Sequence, residues 1–323
     1  IVPKTQSNSQ AVYLIGEFKT NAVKLLWGAR YEYATQNPDK QTVYAGSSPG
    51  FSSGPRSYVP SNLSDRHFGL LAYSAVLDWK IAREYGAALG YTRSERAPNP
   101  VELYGFGPHD STATFIVGNS NLSRETSDHY EFKLYKHIGL LQGKTVVYLS
   151  RFHNYIYGFN TGNYSANNSN FSVITTSQAP ARIHGAEAEL TYLFPNTNLL
   201  TRVFGEASKG EFEAGGYLPL QPAPRVGVEL QYQLAQLTTK LSYLHAYEQN
   251  RLASFELGKT PGYDLLNLNI SHQEKVRGSV WTTYLRASNL LNRDIRYSTT
   301  PETIRLYAPQ MGRSIFIGIK TSF

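Results

Sequence analysis

Hydrophobicity along this chain repeats at every second residue, and it does so over nearly the whole length. In the last segment Ile315, Ile317, Ile319 and Phe323 share one face with Thr321 between them, while Ser314, Phe316, Gly318, Lys320 and Ser322 take the other. Val226, Val228, Leu230 and Tyr232 alternate with Arg225, Gly227, Glu229, Gln231 and Gln233. Ala186, Ala188, Leu190 and Tyr192 alternate with Glu187, Glu189 and Thr191. Further apolar rows are Leu71, Tyr73, Ala75, Leu77, Trp79 and Tyr85, Ala87, Leu89, Tyr91. A 180° period belongs to strands with one apolar and one polar face. Residues 145–153 and 240–249 are mixed, and no helical period competes with the alternation.

The pattern predicts about thirteen strands, near 11–19, 23–35, 67–80, 84–93, 126–137, 143–155, 182–194, 198–210, 225–233, 238–249, 263–272, 279–290 and 313–323. Most run about nine to fourteen residues, longer than the five or six usual in soluble sheets and long enough for a tilted strand to cross a bilayer. Short connections (20–22, 81–83, 138–142, 195–197, 234–237, 273–278) alternate with long ones (36–66, 94–125, 156–181, 211–224, 250–262, 291–312). Short periplasmic turns and long external loops give an outer-membrane barrel this asymmetry, which a soluble sandwich has no reason to keep. A propeller or β-helix would show a blade motif or fixed repeat, and neither is present. The fold class expected is therefore all-β, a transmembrane antiparallel β-barrel.

Composition agrees. Charged residues are 17% and aromatics 13%, with 24 tyrosines, against roughly 25% charged in soluble proteins. No run approaches the roughly 18 apolar residues of a spanning helix, which excludes a helical membrane protein. Cysteine is absent, so disulfide frameworks, thiolate metal sites and cysteine nucleophiles are excluded together. The net charge of +7 is spread along the chain, whereas a nucleic-acid partner wants a concentrated basic face. The opening IVPKTQSNSQ has no basic or apolar signal region, so any signal peptide is expected to be already removed. An odd strand count conflicts with the even number of single-chain bacterial barrels, and two open edges in lipid are prohibitively costly. The expectation is that residues 1–323 are the C-terminal portion of a larger barrel, with an N-terminal part absent.

Two motifs carry a family resemblance. Ser288-Asn289-Leu290-Leu291-Asn292-Arg293 closes a strand, and the chain ends Gly312-Arg313-Ser314 through Phe323. Together these resemble the ending of TonB-dependent outer-membrane receptors. The second runs from Arg93-Ser94-Glu95-Arg96-Ala97-Pro98 through Glu102-Leu103-Tyr104 and Gly107-Pro108-His109 to Gly118-Asn119-Ser120-Asn121-Leu122 and Glu125. It resembles the box in which haem and zinc receptors flank a histidine with "RAP" and "NPNL" elements, although Ser120 stands where proline is usual. The string Glu-Leu-Tyr, Gly-Pro-His and Ala113-Thr114-Phe115 reads more like the zinc-uptake than the haem-uptake receptors. Counted back from the end of a barrel of about 22 strands, these residues fall on the seventh external loop, where the family places the box.

The resemblance implies active, TonB-coupled uptake of a scarce nutrient, with zinc ion the first reading and haem the second. Ferric siderophores come third, because such a pocket would show clustered aromatics and arginines. It implies an N-terminal plug, absent here, through which TonB and its inner-membrane energising complex act. The terminal strand would be read by the barrel-assembly machinery. The protein would be a monomer surrounded by lipid bilayer and lipopolysaccharide, in the outer membrane of a Gram-negative bacterium, with no prosthetic group and no nucleic acid partner.

Imidazole ligates zinc, copper and haem iron well, and His109 sits on a long external loop where no packed core calls for it. Zinc needs three or four N or O ligands in a cysteine-free chain. His109 supplies one, Asp110 and Glu102 are candidates for others, and the rest are expected from absent segments. His129 and His137 are expected to face the lumen, His67 and His153 to lie near external strand ends, and His184, His245 and His272 to be structural. Residues 160–170 read as an exposed, mobile, Asn-rich loop. A barrel enzyme is the alternative class, but no Gly-x-Ser-x-Gly elbow or metalloprotease motif is present. A passive porin would show a complete even barrel without the box.

Overall fold

The computed structural model describes residues 2–40, 44–45, 57–58, 63–165 and 168–322. Among them, thirteen strands follow one another across a single sheet in chain order. These are β1 (Thr5–Lys19), β2 (Val23–Pro38), β5 (Arg66–Lys80), β6 (Tyr85–Arg96), β9 (Glu125–Lys136), β10 (Leu141–Ser165) and β11 (Asn168–Leu193). The wall continues through β12 (Leu199–Phe212), β13 (Arg225–Leu234), β14 (Leu237–Ala246), β15 (Tyr263–Val276), β16 (Ser279–Ser288) and β17 (Ser314–Ser322). Each pairs antiparallel with the next, as a chain of hairpins requires. Two small strands, β3 (Tyr44–Ala45) and β4 (Ser57–Tyr58), pair with each other. A second pair, β7 (Phe106–His109) and β8 (Thr114–Val117), joins the main sheet through β8, which runs parallel to β11 from Thr114↔Ser172 to Val117↔Thr175. Short helices α1 (Pro100–Tyr104) and α2 (Glu302–Arg305) lie in long connections.

Register shows why the alternation holds. Across β6, β9, β10, β11 and β12, Leu89, Phe132, Val147, Ala186 and Ala207 stand opposite one another on one face. Apolar side chains there stay open: Leu89, Leu190 and Ile317 are 59, 50 and 74% exposed, a face suited to hydrocarbon rather than water. The opposite, inner face carries Glu131, Lys133 and Glu187. It also carries salt bridges that span neighbouring strands, such as Arg202–Glu189 at 2.6 Å and Lys240–Glu229 at 2.7 Å. Glycines on this inner face admit rings from the next strand. A Cβ on Gly185 would lie 2.5 Å from the Tyr148 hydroxyl, and one on Gly318 would lie 2.4 Å from that of Tyr284. At the short-turn end, Arg277 and Gly278 both take positive φ (50° and 90°), the backbone that matches a two-residue turn to the strand twist.

One expected loop is different. Residues 156–165 and 168–181 form the upper parts of β10 and β11, paired from Ile156↔Gln178 to Asn160↔Ile174 and, at the far end, Ser165↔Asn168, with register shifts at Phe152/Tyr155 and beyond Asn160. Strand-favouring Ile156, Tyr157, Phe159, Val173, Ile174 and Thr175 explain the extension. The Asn-rich stretch is therefore strand on either side of residues 166–167, which lie outside the described residues, as does Phe323. Among the described residues, β1 and β17 each pair on one side only.

The face assignment has a direct consequence. In the intact protein, Val147→Arg should lower the unfolding free energy in bilayers by about 2–4 kcal/mol. Val146→Arg, on the inner face opposite Glu187, should cost less than about 1 kcal/mol. Urea titration in vesicles reads both, and equal losses would reverse or abolish the two faces.

Candidate functional site

The box between β6 and β9 folds back over the inner wall as a compact unit. Its first turn is fixed by a reciprocal cap: the Asn99 side chain accepts from the Glu102 N–H at 2.9 Å, and the Glu102 carboxylate accepts from the Asn99 N–H at 2.7 Å. Pro100 at the first helical position needs no donor. Leu103, Tyr104 and Leu122 are buried in a cluster with Ala34, Phe68, Leu70 and Ile156 from β2, β5 and β10. Burial pushes the Tyr104 hydroxyl up to about 12, so it remains a donor at neutral pH, to the Ser64 carbonyl at 2.7 Å.

Charge holds the unit at its edges. Arg96 donates to both oxygens of Glu102 (3.1 and 2.8 Å) and to both of Glu125 (3.3 Å each). The first and last parts of the box are thereby fastened to one guanidinium. Arg66 of β5 donates to the carbonyls of Ser120 and Leu122, fastening the Asn-Ser-Asn-Leu element to the wall. Neither role was legible beforehand. Arg96 could have been suspected from its place in the motif, whereas Arg66 lies 54 residues away from Ser120 with no local signal.

His109 ends β7 at the tip of the β7–β8 hairpin, immediately before a single 3₁₀ turn, Asp110–Thr112. Its Nδ1 lies 2.7 Å from Thr112 Oγ1 and 3.1 Å from Ser111 Oγ. The Thr112 hydroxyl also reaches the His109 carbonyl at 3.2 Å. That hydroxyl lies 2.8 Å from Thr114 Oγ1 as well, so Nδ1 is occupied by hydroxyl partners and Nε2 is the ring nitrogen without one among these contacts. A hydrogen bond at one ring nitrogen is what commonly sets up the other as a ligand. The turn is buttressed from across the mouth, where Thr303 of α2 donates to the Thr112 carbonyl.

The three residues singled out as ligands are not gathered into one cluster. Glu102 serves Arg96 and the helix cap, Asp110 is exposed at the start of the 3₁₀ turn, and His109 is partly buried beside it. Among the described residues, no group of three or more His, Cys, Asp and Glu side chains is placed to hold a metal ion. Of the other histidines, His129 bonds Ser150 at 2.8 Å on the inner face, and His67 stacks on Tyr33 at 6.2 Å. His153 bonds Asp128 at 2.9 Å on the outer face, and His245 bonds Asp264 at 2.8 Å. A separate cavity of about 190 Å³ opens among the long connections after β12, β14 and β16. Arg225, Arg296, Tyr247, Tyr263 and Tyr297 line it, together with Thr260, whose buried hydroxyl has no hydrogen-bond partner among the described residues.

Comparison with known proteins gives the frame. A family model described as TonB dependent receptor-like, beta-barrel, matches residues 1–290. The copper transporter OprC superimposes with a TM-score of 0.78 at 16% identity, over 98% of this chain and 47% of its own. The FrpB iron transporter from Neisseria meningitidis (F3-3 variant) gives 0.68 at 13% identity, over 99% and 46%. The ferric-catecholate import receptor Fiu from E. coli K12 gives 0.68 at 15%, over 98% and 45%. The chain thus spans about half the length of these structures, and at such identities the likeness speaks to the fold.

Close backbone approach makes the box testable. A Cβ on Gly118 would fall 2.6 Å from the Gly105 nitrogen and 2.8 Å from the Leu103 carbonyl carbon. Gly118→Ala should therefore undock the box at a cost of about 1–3 kcal/mol, so that residues 97–124 become protease-sensitive while the heat-modifiable barrel persists. Wild-type protease resistance in the variant would show that the packing is looser than described.

Proposed function

Because the chain belongs to the TonB-dependent receptor β-barrel family, we propose that it forms the greater part of the wall and the cargo-capturing loops of an outer-membrane uptake receptor in a Gram-negative bacterium. The one-sided edges of β1 and β17 support placing further strands of the same protein between them. An unpaired backbone group in hydrocarbon costs several kcal/mol, and closure as a barrel of about 22 strands removes both edges. A plug domain would fill the lumen and carry the contact with TonB, whose pull, energised from the inner membrane, releases cargo inward. The family is one of transport receptors, and no catalytic step is assigned to this chain.

The cargo proposed is zinc ion, and the observation that carries it is the orientation of His109. Its Nδ1 is held by Thr112 and Ser111, which leaves Nε2 to bind a cation at the mouth. Asp110, exposed next to it, adds a carboxylate within the same turn. Glu102 would join only by leaving Arg96. Zinc's remaining ligands would come from the plug or the further strands, since three or four are needed. Haem asks less of this chain, because one imidazole suffices as a protein ligand to its iron.

A second reading rests on the arginine–tyrosine cavity. Three phenol rings and a buried hydroxyl without a partner among the described residues suit an aryl group of a ferric chelate, and its charge would be met by Arg225 and Arg296, which now pair with Glu206 and Asp294. The volume admits one such ring rather than a whole chelate.

Calorimetric titration of the detergent-purified full-length receptor separates these. Zinc should bind saturably, and His109→Ala should weaken it by at least about tenfold, since loss of a residue that merely supports a metal ligand already costs roughly 10–100-fold. Binding of hemin but not zinc would keep the histidine and change the cargo. Binding of a ferric catecholate, unaffected by His109→Ala and lost in Arg296→Ala, would favour the cavity instead.

A further inference from the structure

The turn that carries His109 does not hold itself. Asp110–Thr112 is a single 3₁₀ turn whose closing backbone bond, from the Ala113 N–H to the Asp110 carbonyl, is 3.2 Å long. His109, just before it, gives the turn no side-chain cap, and Ala113, just after it, takes the left-handed conformation (φ 49°, ψ 44°). That conformation is disfavoured for a residue with a Cβ, and it persists only where surrounding contacts over-determine it. Two contacts do so. The Thr112 hydroxyl meets Thr114 Oγ1 at 2.8 Å within the hairpin, and Thr303 of α2 donates to the Thr112 carbonyl from outside. The first is local, whereas the second brings in a segment 191 residues away.

α2 is also a single turn, four residues long, far below the length at which a helix is stable alone. Its place is set by ties to the wall of the arginine–tyrosine cavity. Arg296, which lines the cavity, gives Nε and Nη2 to Asp294. Its Nη1 goes to the carbonyls of Arg305 (2.7 Å) and Leu306, which end α2. Arg305, only 7% exposed, reaches back to the carbonyls of Ser298 (3.0 Å) and Thr300 (3.2 Å), and Ser298 also lines the cavity. Glu302 accepts from the N–H groups of Leu257 and Gly258 at 2.7 Å each. These belong to the connection whose Thr260 and Pro261 form another part of the lining. All these ties involve a charged group, the stronger class of hydrogen bond. α2 is therefore fixed to the cavity on one side and to the His109 turn on the other.

We infer that α2 is a positioning arm for His109, with Thr303 as its contact and Arg296, Arg305 and Glu302 as its mount, so that the cavity and the His109 turn are coupled sites. A ligand charge in the cavity that draws Arg296 off the α2 carbonyls loosens the mount. The loss passes through Thr303 to the turn that aims the imidazole. The coupling is thus antagonistic, and by linkage it runs both ways. The inference rests on the reading of His109 as the cargo ligand, to which it adds no further ligand, only the residues that hold that one in place.

The test titrates the full-length receptor in detergent with zinc chloride, and follows hydrogen exchange of the zinc-free protein by mass spectrometry. Thr303→Val keeps the side chain's shape and removes the donor, and it should weaken zinc roughly fivefold, the factor of one ordinary hydrogen bond. Thr303→Ser restores the donor and should match wild type. Arg296→Gln and, on the other side of the mount, Glu302→Ala should each weaken zinc to a similar degree. The double variant Thr303→Val/Arg296→Gln should lose no more than either single one, since both cut the same tie. In the zinc-free protein, exchange over residues 106–117 should rise in Thr303→Val and in both mount variants while the wall strands stay unchanged, a local effect that general destabilisation would not give. Wild-type zinc affinity and exchange in the mount variants, or additive losses in the double variant, overturn the coupling. Failure of Thr303→Ser to rescue overturns the role of Thr303. If the wild-type protein binds no zinc, the cargo reading fails, and exchange over 106–117 still decides whether α2 holds the turn.

Discussion

Backbone hydrogen bonding in a medium without water governs this structure. A strand surrounded by hydrocarbon has only its neighbours to satisfy its N–H and C=O groups, so the wall must be one continuous ladder. From that follow the length of the strands and the chain-order pairing from β1 to β17. It also leaves side chains free to divide strictly by parity, with Leu89, Phe132 and Val147 outward and Glu131, Lys133 and Glu187 inward. The ladder supplies what hydrophobic burial supplies in a soluble domain, which is why so many large apolar side chains remain open.

Where the wall leaves the bilayer the constraints change, and the long connections build a second kind of structure. Buried Leu103 and Leu122 pack on the inner wall, while Arg96 and Arg66 fasten the two ends of the box by charge-assisted hydrogen bonds. This arrangement holds His109 on a short hairpin whose second strand is itself paired to β11. The loop is thus an extension of the scaffold, and its histidine is presented by a supported turn rather than a free tip. The same exit level is marked on the outside by Tyr91 and Tyr130 and, at the next outward positions in register, by the charged residues Arg93, Asp128, Arg151, Arg182 and Glu211, so both faces of the wall change chemistry together.

Much of this was legible in the sequence, and the reasons are physical. Period-two alternation with short and long connections places the thirteen wall strands closely, because side-chain parity is imposed by lipid on one face and water on the other. The loop expected over 156–181 was misplaced because the top of the β10–β11 hairpin has no lipid face, so the alternation that marks a strand weakens there although the backbone remains paired. The candidate ligands were chosen for their chemistry, which sequence displays. Glu102's ties to Arg96 and Asn99 depend on how the box folds back. The charge of the outer rim was hidden for a different reason, since Arg151 and Arg182 come face to face only through the hairpin register.

The most direct test is a nitroxide accessibility scan along β10 of the full-length receptor in bilayers, which the cysteine-free sequence of this chain favours for single-site labelling. Labels at Thr145, Val147 and Leu149 should be reached by oxygen dissolved in lipid, and labels at Val146, Tyr148 and Ser150 should be shielded from it. The pattern should give way to water accessibility from Arg151 upward. A scan with no alternation, or with both faces open to water throughout, would contradict a lipid-facing wall and the placement of everything built on it.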